Sequence, residues 1–354
     1  RSKLAADAAF YTPDDFGAVI KQLGSKKAKV RVDVQHTPAR VIDMLEDAGA
    51  IIDAGVDVCD LPKSCKNKDE LAGIKAAHIR DGLALTKFLC WLAAQKPGTI
   101  TEIQSEEKLL EFRKTAPGFL YPSFPSISGA GPNGAIVHYR ATAQSNRTLK
   151  ANELYLIDSG GQYFDGTTDV TRTLAIGVPS AAMKTHYTLV LKGHIGLAMA
   201  VFPQGTHGGQ LDILARQHLW AAGLDYDHGT GHGVGAFLGV HEGPQSISGR
   251  STVPLRAGMV ISNEPGYYLT DAYGIRIENL VFVKESDKQL DGKPMFEFET
   301  LTLAPMDLNC VDVGLLTALE KAWLNDYHAL VYKTHAPHLN DAEKVWLKTA
   351  TTAL

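Results

Sequence analysis

The sequence has few cysteines, and none of them has the spacing of a metal-binding or redox pair. Cys59, Cys65, Cys90 and Cys310 are spread over 354 residues, and no CxxC motif is present. A long chain with four scattered cysteines does not match a disulfide-rich secreted domain, and this usage favours a reducing compartment. We therefore expect four ordinary free thiols and a cytoplasmic protein.

Long apolar runs and a strong excess of charge are also missing. No uninterrupted apolar segment reaches about 18 residues, which is the length that a transmembrane helix requires. The formal net charge of −4 gives no basis for binding to nucleic acid or to an anionic membrane. With 45% hydrophobic and 21% charged residues, the composition is that of a globular protein that binds neither nucleic acid nor membrane.

Signatures of several common enzyme classes are absent as well. The chain contains no GxSxG, no HExxH, no Walker A motif and no GxGxxG that opens a helix after a strand. These motifs mark α/β-hydrolases, zinc peptidases, P-loop enzymes and dinucleotide-binding enzymes. If the chain is an enzyme, its chemistry must therefore come from another arrangement of side chains.

Turn residues and hydrophobic periodicity divide the chain into two predicted domains. The first, residues 1–66, alternates between helix (12–24), strand (30–33), helix (37–49) and a second strand that begins at Ile51. This order is typical of a small α/β unit. The segment is short for an independent domain, so we expect it to be the carboxy-terminal part of a domain that begins outside this sequence.

The second predicted domain covers residues 67–354 and has an α+β texture. Helical stretches and β-prone, glycine-rich stretches are segregated along the chain, which favours largely antiparallel strands. Helices are predicted near residues 67–96, 105–114, 180–201, 209–222, 315–333 and 340–350, and strands within residues 119–177 and 228–303.

Two aspartates mark the first β-rich stretch of candidate site residues. An apolar run ends at Asp158, and a glycine-rich bend then leads to a β-branched strand that carries Asp169. Aspartate is depleted in strands, so each of these residues needs a reason to be there. A dication between two neighbouring carboxylates removes their repulsion. The alternative is that both aspartates are exposed at the ends of turns.

Three histidines mark the second stretch. His228, His232 and His241 lie within fourteen residues and alternate with glycines. Glycine lets the backbone pass close to a ligand or a metal, and the neutral imidazole is the commonest nitrogen ligand of metals. A lone histidine is more often a packing residue, but three in one glycine-rich loop favour a site.

Two glutamates mark the third stretch. Glu264 follows an apolar strand and precedes a Pro-Gly turn, and Glu278 is predicted to lie inside a second strand. A charged residue within an apolar strand is unfavourable unless it is paired or bound to a metal. Arg276 offers the alternative of an ion pair with one of the glutamates.

Together the three stretches supply four carboxylates and one imidazole: Asp158, Asp169, His232, Glu264 and Glu278. Such a donor set suits Mn²⁺, Fe²⁺, Co²⁺ or Zn²⁺ and does not choose firmly among them. Two divalent ions nearly balance four carboxylates, and ions about 3.5–4 Å apart can share a water molecule and lower its pKa. The pattern therefore predicts a two-metal hydrolase for amide or ester bonds.

The sequence also resembles the pita-bread metallopeptidases and, within them, the large three-domain form of the aminopeptidase P (Xaa-Pro aminopeptidase) family. The resemblance extends over roughly residues 68–354. It is carried by YLIDSGGQYFDGTTDVTRT, HGTGHGVGAFLGVHEGP, NEPGYY and GIRIEN, together with SFPSISGAGPNGAIVHY and LKGHIGLAMAVFPQGT.

This resemblance implies an α+β pita-bread catalytic domain preceded by the end of a creatinase-like small α/β domain. It implies a dinuclear, usually Mn²⁺, site with the five residues above as ligands and Glu264 as general base on a water shared by the two metals. His138, His228 and His241 are implied to hold the scissile carbonyl, shuttle protons and order the leaving group. The implied substrates are peptides with proline at the second position, and the implied assembly is a homodimer.

Two other functions stay open on the sequence. A prolidase uses the same fold to cut Xaa-Pro dipeptides, and a non-catalytic binding protein with this fold is the third hypothesis. Only about 66 residues precede the predicted catalytic domain, so we expect the chain to lack the beginning of its relatives, including a domain that helps to close their cleft.

Several other polar residues are predicted to have structural roles. His78, Arg80 and Asp81 fall in the long helix that begins near residue 67, and we expect them on its solvated face. Four further histidines have no ligand-like sequence setting: His186, His194, His207 and His218.

Overall fold

The computed structural model describes residues 8–354, without the side chains of residues 289 and 290. The described residues form two compact units, one ending at Pro62 and one extending from Lys63 to Leu354. This division falls shortly before residue 66, where the sequence analysis places the end of the first domain. The assignment of residues 1–66 to a creatinase-like domain stays a prediction.

The first unit alternates helix and strand as expected. It contains α1 (Phe16–Ser25), β1 (Lys29–Val32), α2 (Ala39–Asp47) and β2 (Ile51–Ala54). The two strands pair in parallel, which a helical crossover between them permits. Three apolar side chains are buried between the helices and the strands: Ile20, Val32 and Leu45.

The long helix of the second unit begins where the sequence predicts it. The Asn67 side chain accepts hydrogen bonds from the backbone N–H of Asp69 and Glu70, and the Glu70 carboxylate accepts one from the Asn67 N–H. This reciprocal capping satisfies N–H groups that have no helical partner. The helices are α3 (Asp60–Ser64, which contains the point of division), α4 (Lys68–Ala93), α5 (Glu102–Lys114), α6 (Ala181–Ala198), α7 (Gly208–Ala221), α8 (Ala318–His335) and α9 (Asp341–Ala350).

The strands of the second unit are short, and every pairing among them that the structure describes is antiparallel. The expectation of an α+β architecture with largely antiparallel strands is therefore confirmed. The strands are β3 (Phe119–Pro122), β4 (Ile127–Ala130), β5 (Glu153–Ser159), β6 (Gly161–Tyr163), β7 (Gly166–Thr167), β8 (Val170–Ile176), β9 (Val201–Pro203), β10 (Gly231–His232), β11 (Ser246–Ile247), β12 (Val260–Asn263), β13 (Gly266–Leu269), β14 (Tyr273–Arg276), β15 (Asn279–Leu290) and β16 (Lys293–Thr300).

Two of the sheets bring the candidate site residues together. In the sheet β4-β5-β8, Asp158 lies opposite Thr171, and in the sheet β12-β15-β16-β9, Asn263 lies opposite Asn279. The two sheets are connected by a hydrogen bond from the Glu278 N–H to the Thr171 carbonyl, 3.2 Å long. The strand ends that carry the carboxylates are thereby fixed relative to one another.

Apolar side chains pack around these sheets on the helix sides. One cluster lies among α6, α7, α8 and the neighbouring strands, and another lies between α4 and β5. Each large apolar side chain that is fully buried contributes roughly 1.5–3 kcal/mol relative to exposure. Representative members of these clusters are Leu191, Ile195, Leu219, Ile275 and Leu324 in the first, and Leu85, Phe88, Tyr155 and Ile157 in the second.

The prediction of a solvated face on α4 is wrong for two of its three residues. His78 and Asp81 are only 2% and 3% exposed. The Asp81 carboxylate accepts hydrogen bonds from Arg113 Nε and Nη2, at 2.9 and 3.1 Å, and from the Tyr163 hydroxyl at 2.8 Å. The partners of Asp81 on α5 and β6 lie far away in the sequence, whereas His78 Nδ1 bonds to the Ile74 carbonyl one helical turn earlier, at 2.8 Å.

Candidate active site

All five predicted metal ligands line one cavity of about 350 Å³. Their ligand atoms fall into overlapping groups in which all atoms lie within 4.8 Å of one another. One group joins Asp158, Asp169 and Glu278, and a second joins Glu278 with His232 and Glu264. Glu278 thus connects two adjacent sets of donors, which is an arrangement suited to two neighbouring metal ions.

Most of these side chains are carried at breaks or ends of strands. Asp169 immediately precedes β8, Glu264 lies between β12 and β13, and Glu278 lies between β14 and β15. The sequence predicts Glu278 inside a strand, and the structure corrects this detail because residues 277 and 278 interrupt the ladder. Asp158 belongs to β5 and His232 to β10.

The hydrogen bond at Nδ1 fixes the orientation of the His232 ring. Nδ1 lies 3.0 Å from the Gly233 carbonyl oxygen, which only accepts, so Nδ1 carries a proton. Nε2 therefore faces the carboxylates, 3.4 Å from both Asp169 Oδ2 and Glu264 Oε1. Burial alone lowers the pKa of His232, but its hydrogen bond to Asp169 and the charge of Glu264 raise that pKa to about 9. A backbone bond at one nitrogen that directs the other toward a metal is common among metal-binding histidines.

The carboxylates are crowded and largely removed from water. Burial raises the pKa of Asp158 to about 6 and that of Glu264 to about 7, and nearby carboxylates contribute in the same direction. Burial and the charges of Asp169 and Glu264 raise the pKa of Glu278 well above its usual range. In addition, Asp158 Oδ1 is buried without a hydrogen-bond partner. Excess buried negative charge and an unsatisfied ligand oxygen fit divalent cations at this site.

Arg276 does not form the ion pair with a glutamate that the sequence left open. Its Nη2 donates to Asp158 Oδ2 at 2.7 Å, and its Nη1 donates to the Tyr268 hydroxyl at 2.6 Å. Its Nε donates to Thr171 Oγ1 at 3.2 Å, and Thr171 in turn donates to Glu278 Oε2 at 2.7 Å. Arg276 and Thr171 therefore orient two of the candidate ligand carboxylates, and Asp158 Oδ1 is left without a hydrogen bond.

The three histidines implied by the resemblance also line the cavity. His228 Nδ1 donates to the Gly229 carbonyl at 2.8 Å, so its Nε2 accepts a hydrogen bond from the Tyr268 hydroxyl, also at 2.8 Å. Burial lowers the pKa of His228 to about 4, which keeps the ring neutral. The His241 ring meets the His232 ring edge-on with centroids 4.2 Å apart, and His138 is exposed at the rim.

Sequence reasoning missed the hydroxyl groups that support the ligands. Ser262 Oγ accepts a hydrogen bond from the His232 N–H at 2.9 Å and donates to Glu264 Oε1 at 3.0 Å. Thr171 and Tyr268 act in the same way on Glu278 and His228. Serine, threonine and tyrosine are ordinary strand residues, so no local sequence signal distinguishes these three.

Comparison with known proteins identifies the family. The profile of metallopeptidase family M24 matches residues 72–285, and the profile of the C-terminal region of these peptidases matches residues 294–354. The chain belongs to metallopeptidase family M24.

Individual relatives within and around this family are similar over most of the chain. The probable Xaa-Pro aminopeptidase P of Tuber melanosporum is 49% identical over 301 residues, which cover 82% of this chain and 49% of the relative. The crystal structure of X-prolyl aminopeptidase from Caenorhabditis elegans matches with a TM-score of 0.88 and 37% identity, over 96% of this chain and 57% of that chain. That protein is described as a cytosolic enzyme with a di-nuclear active site. The Xaa-Pro dipeptidase from Bacillus anthracis matches with a TM-score of 0.69 and 25% identity over 83% of this chain and 78% of that chain.

These similarities confirm the α+β pita-bread fold and the resemblance to Xaa-Pro aminopeptidases P. The M24 chain spans about half the length of the curated relatives that it matches, 49% and 51% for two of them. Its four cysteines are all free. Among the described residues, no helix combines the length and the apolar character needed to cross a membrane.

Proposed function

We propose that this M24 protein is a metal-dependent Xaa-Pro aminopeptidase, which releases the N-terminal residue from peptides that have proline at the second position. The observation that carries the proposal is the convergence of Asp158, Asp169, His232, Glu264 and Glu278 in one cavity with Asp158 Oδ1 left unsatisfied. The similarity to aminopeptidases P supports the choice of substrate.

The five converging residues are the proposed ligands of two divalent metal ions. Oxygen donors predominate, which suits Mn²⁺, with Zn²⁺, Co²⁺ and Fe²⁺ as alternatives. When bound, two such ions polarise the scissile carbonyl and lower the pKa of a water molecule, which supplies the nucleophile near neutral pH. The chain itself supplies the geometry, because Arg276, Thr171 and Ser262 hold the ligand carboxylates in place.

Glu264 is the proposed general base. Its Oε1 accepts a hydrogen bond from Ser262, while the side chain remains partly exposed to the cavity. A fixed carboxylate beside the attacking water can accept its proton and return that proton to the departing nitrogen. That nitrogen belongs to proline and carries no N–H before cleavage, so selectivity must come from shape and from placement of the carbonyl.

Two of the three histidines are proposed to contact the substrate, and the third is proposed to hold the cavity wall. His138 and His241 are exposed to the cavity, so their ring nitrogens can reach a peptide carbonyl and the leaving group. His228 has both ring nitrogens engaged, one with the Gly229 carbonyl and one with Tyr268. We assign His228 to holding Tyr268 and the cavity wall, and we assign proton transfer during release of the product to the two exposed histidines.

Location and assembly are proposed on separate grounds. Four free cysteines support a reducing compartment, and we propose the cytoplasm. The family resemblance supports a homodimer. Size-exclusion chromatography with light scattering on the purified chain measures its mass, and a monomer at micromolar concentration would contradict the dimer.

A prolidase is the second candidate, because the Xaa-Pro dipeptidase from Bacillus anthracis shares the fold. The test compares hydrolysis of Ala-Pro-Ala with hydrolysis of Ala-Pro, with and without added Mn²⁺, alongside the metal content of the protein. We expect metal-dependent cleavage of the tripeptide. Cleavage of the dipeptide alone would establish the prolidase, and metal binding without cleavage of either peptide would favour the non-catalytic binding protein.

A further inference from the structure

The loop between α7 and β10 forms a wall of the active-site cavity and carries His228. Its other side borders a second, more open cavity of about 580 Å³, because His228, Gly229 and Gly231 line both cavities. A segment with a cavity on each side has few packing partners on those sides. Its position must therefore depend strongly on hydrogen bonds to the element beside it, which is α7.

Arg216 of α7 contacts this loop at several consecutive points. Its Nη2 donates to the His228 carbonyl at 2.6 Å, and its Nη1 donates to the Tyr226 carbonyl at 2.7 Å and to Asp225 Oδ1 at 2.8 Å. The guanidinium also lies over the Tyr226 ring, 3.9 Å from its centroid. Arg216 is only 8% exposed. A planar, rigid donor group of this kind fixes the loop backbone more tightly than a flexible ammonium can.

Asp212, one helical turn before Arg216, extends the same network to the metal ligands. Its Oδ2 accepts from Arg216 Nε at 2.8 Å, and its Oδ1 accepts from Thr230 Oγ1 at 2.5 Å. The Tyr226 hydroxyl donates to the same Thr230 oxygen at 2.5 Å. The backbone carbonyl of Thr230 then accepts from the Glu264 N–H at 2.8 Å. A continuous set of bonds therefore connects α7 with His228 and with Glu264.

We infer that Asp212 and Arg216 are positioning residues, which set the distance between His228 on one side of the cavity and Glu264 on the other. The inference rests on the proposed peptidase function. Neither side chain is a proposed ligand or proton-transfer group, and both act through the loop that they hold. A misplacement of about 1 Å far from the reacting atoms can lower turnover by about 10²-fold, so the network matters for catalysis as well as for stability.

The test measures kcat, KM, bound metal and melting temperature for Arg216→Met, Arg216→Lys, Asp212→Asn and Thr230→Val in the metal-loaded protein, with Ala-Pro-Ala as substrate. We expect Arg216→Met to lower kcat by about 10²-fold with a much smaller change in KM, because the binding groups are kept while their alignment is lost. Arg216→Lys should recover part of this loss because it keeps the charge and some of the donors. Bound metal should stay at the wild-type level.

Lys192→Met is the matched control. Lys192 on α6 forms an ion pair with Glu320 on α8, 2.6 Å long, and its side chain is as exposed as that of Arg216, 10% in both cases. Neither Lys192 nor Glu320 lines the active-site cavity. We expect this variant to melt at a lower temperature and to keep the wild-type kcat, which separates the loss of a largely buried ion pair from the loss of alignment.

Each outcome decides the inference. Equal kcat values for Arg216→Met and Lys192→Met would overturn it. A loss of kcat in proportion to a loss of bound metal would also overturn it. If Arg216→Met does not fold, Thr230→Val decides, because this near-isosteric change removes only the two hydroxyl hydrogen bonds and must still lower kcat. If the wild-type protein fails to cleave Ala-Pro-Ala, the proposed function is wrong and the inference falls with it, whereas wild-type cleavage with unaffected variants overturns the inference alone.

Discussion

Two of the buried charge clusters in the second unit differ in how their charges are balanced. In the first, Asp81 is surrounded by its own partners, two nitrogens of Arg113 and the Tyr163 hydroxyl. Although burial alone raises the pKa of Asp81, the nearby Arg113 charge lowers it overall. The carboxylate is stable as an anion because the protein itself supplies the opposite charge.

The second cluster is the proposed metal centre, where four carboxylates have two close basic partners, Arg276 and His232. Burial raises the pKa of Asp158, Glu264 and Glu278 there. The difference teaches that burial of charge alone does not mark a function. A site is indicated where buried charge remains unbalanced by the protein's own residues, since something outside the chain must then supply the opposite charge.

The largest expected effect tests this imbalance directly. We predict that Asp169→Asn lowers kcat by at least about a thousandfold, equivalent to about 4 kcal/mol, because a ligand carboxylate is lost. Metal content, measured by mass spectrometry, falls with it. The matched control is Asp165→Asn in the turn between β6 and β7, where the aspartate forms a partly exposed ion pair with Arg80. That variant keeps both metal and activity, and an inactive Asp165→Asn protein would contradict our assignment.

The same imbalance predicts an unusual stability change in Glu278→Gln. Without metal, the fold must bury Glu278 among other carboxylates, and its raised pKa shows that this burial has a free-energy cost that glutamine does not carry. The chelated variant should therefore melt at a higher temperature than the chelated wild type. With metal, the order should reverse, because the wild type keeps all of its ligands and bound metal stabilises the folded state. Thermal melts in EDTA and in Mn²⁺ test this prediction. A lower melting temperature of the variant in both buffers would show that the crowded carboxylates do not destabilise the metal-free fold.

The Asp81–Arg113 cluster, whose charges are balanced, gives the next effect, and this effect is on stability alone. Arg113→Met leaves Asp81 buried without its cation, which typically costs about 3–5 kcal/mol. We expect that loss in the free energy of unfolding from urea denaturation, with metal content unchanged. The double variant Asp81→Leu with Arg113→Met should recover much of it, because replacing both partners removes the uncompensated charge. No recovery would mean that the cluster does more than balance its own charge.

A smaller effect probes the residues that support the metal centre. Thr171→Val removes the hydroxyl that donates to Glu278 Oε2, and loss of such a supporting hydrogen bond typically lowers metal affinity or activity by about 10–100-fold. Thr171→Ser keeps the hydroxyl and serves as the control. Competition with a chromophoric chelator measures the affinity. Equal affinity in both variants would show that the fold places Glu278 without this bond.

The sequence predicted the architecture well, and it selected five residues that the fold brings into one cavity, for identifiable physical reasons. The alternation of helical and β-prone segments and the Asn67–Glu70 capping pair are local features of the sequence. Helix starts and β-rich stretches could therefore be found without knowledge of the fold. Asp158, Asp169 and Glu264 stood out because an acidic residue in an apolar or β-branched run is costly. Each of these signals depends on neighbours within a few residues of the chain.

The residues that the sequence did not reveal depend on distant partners. The burial of Asp81 could not be predicted because its partner, Arg113, lies on another helix. Arg276 was considered as a partner for a glutamate, but it binds Asp158, which lies more than a hundred positions earlier in the chain. The sequence determines these pairs only through the fold, so they could not be inferred from spacing.

The last and smallest expected effect concerns a buried neutral histidine beside the metal centre. His194 is fully buried, its Nδ1 lies 3.1 Å from the Asn263 carbonyl, and its Nε2 lies 3.2 Å from Asn279 Nδ2. Since a carbonyl only accepts, Nδ1 carries the proton and Nε2 accepts from the amide. Burial and the positive charge of Arg172 lower the pKa of His194 to about 3. Protonation of Nε2 would therefore point its N–H at the Asn279 amide, which also donates, and would add a positive charge near that of Arg172.

This histidine makes stability depend on pH with a defined sign. The unfolded chain takes up a proton below about pH 6.5 that the folded state refuses. The contribution is therefore complete above that pH and is lost as the pH falls toward 3, by about 2 kcal/mol at pH 5. In His194→Gln the free energy of unfolding should fall less steeply between pH 7 and pH 5 than in the wild type, by about one proton's slope. Identical slopes of unfolding free energy against pH would mean that the folded state accommodates a charged imidazole at this position. Packing of a neutral His194 beside Asn263 would then not be what stabilises this side of the proposed metal centre.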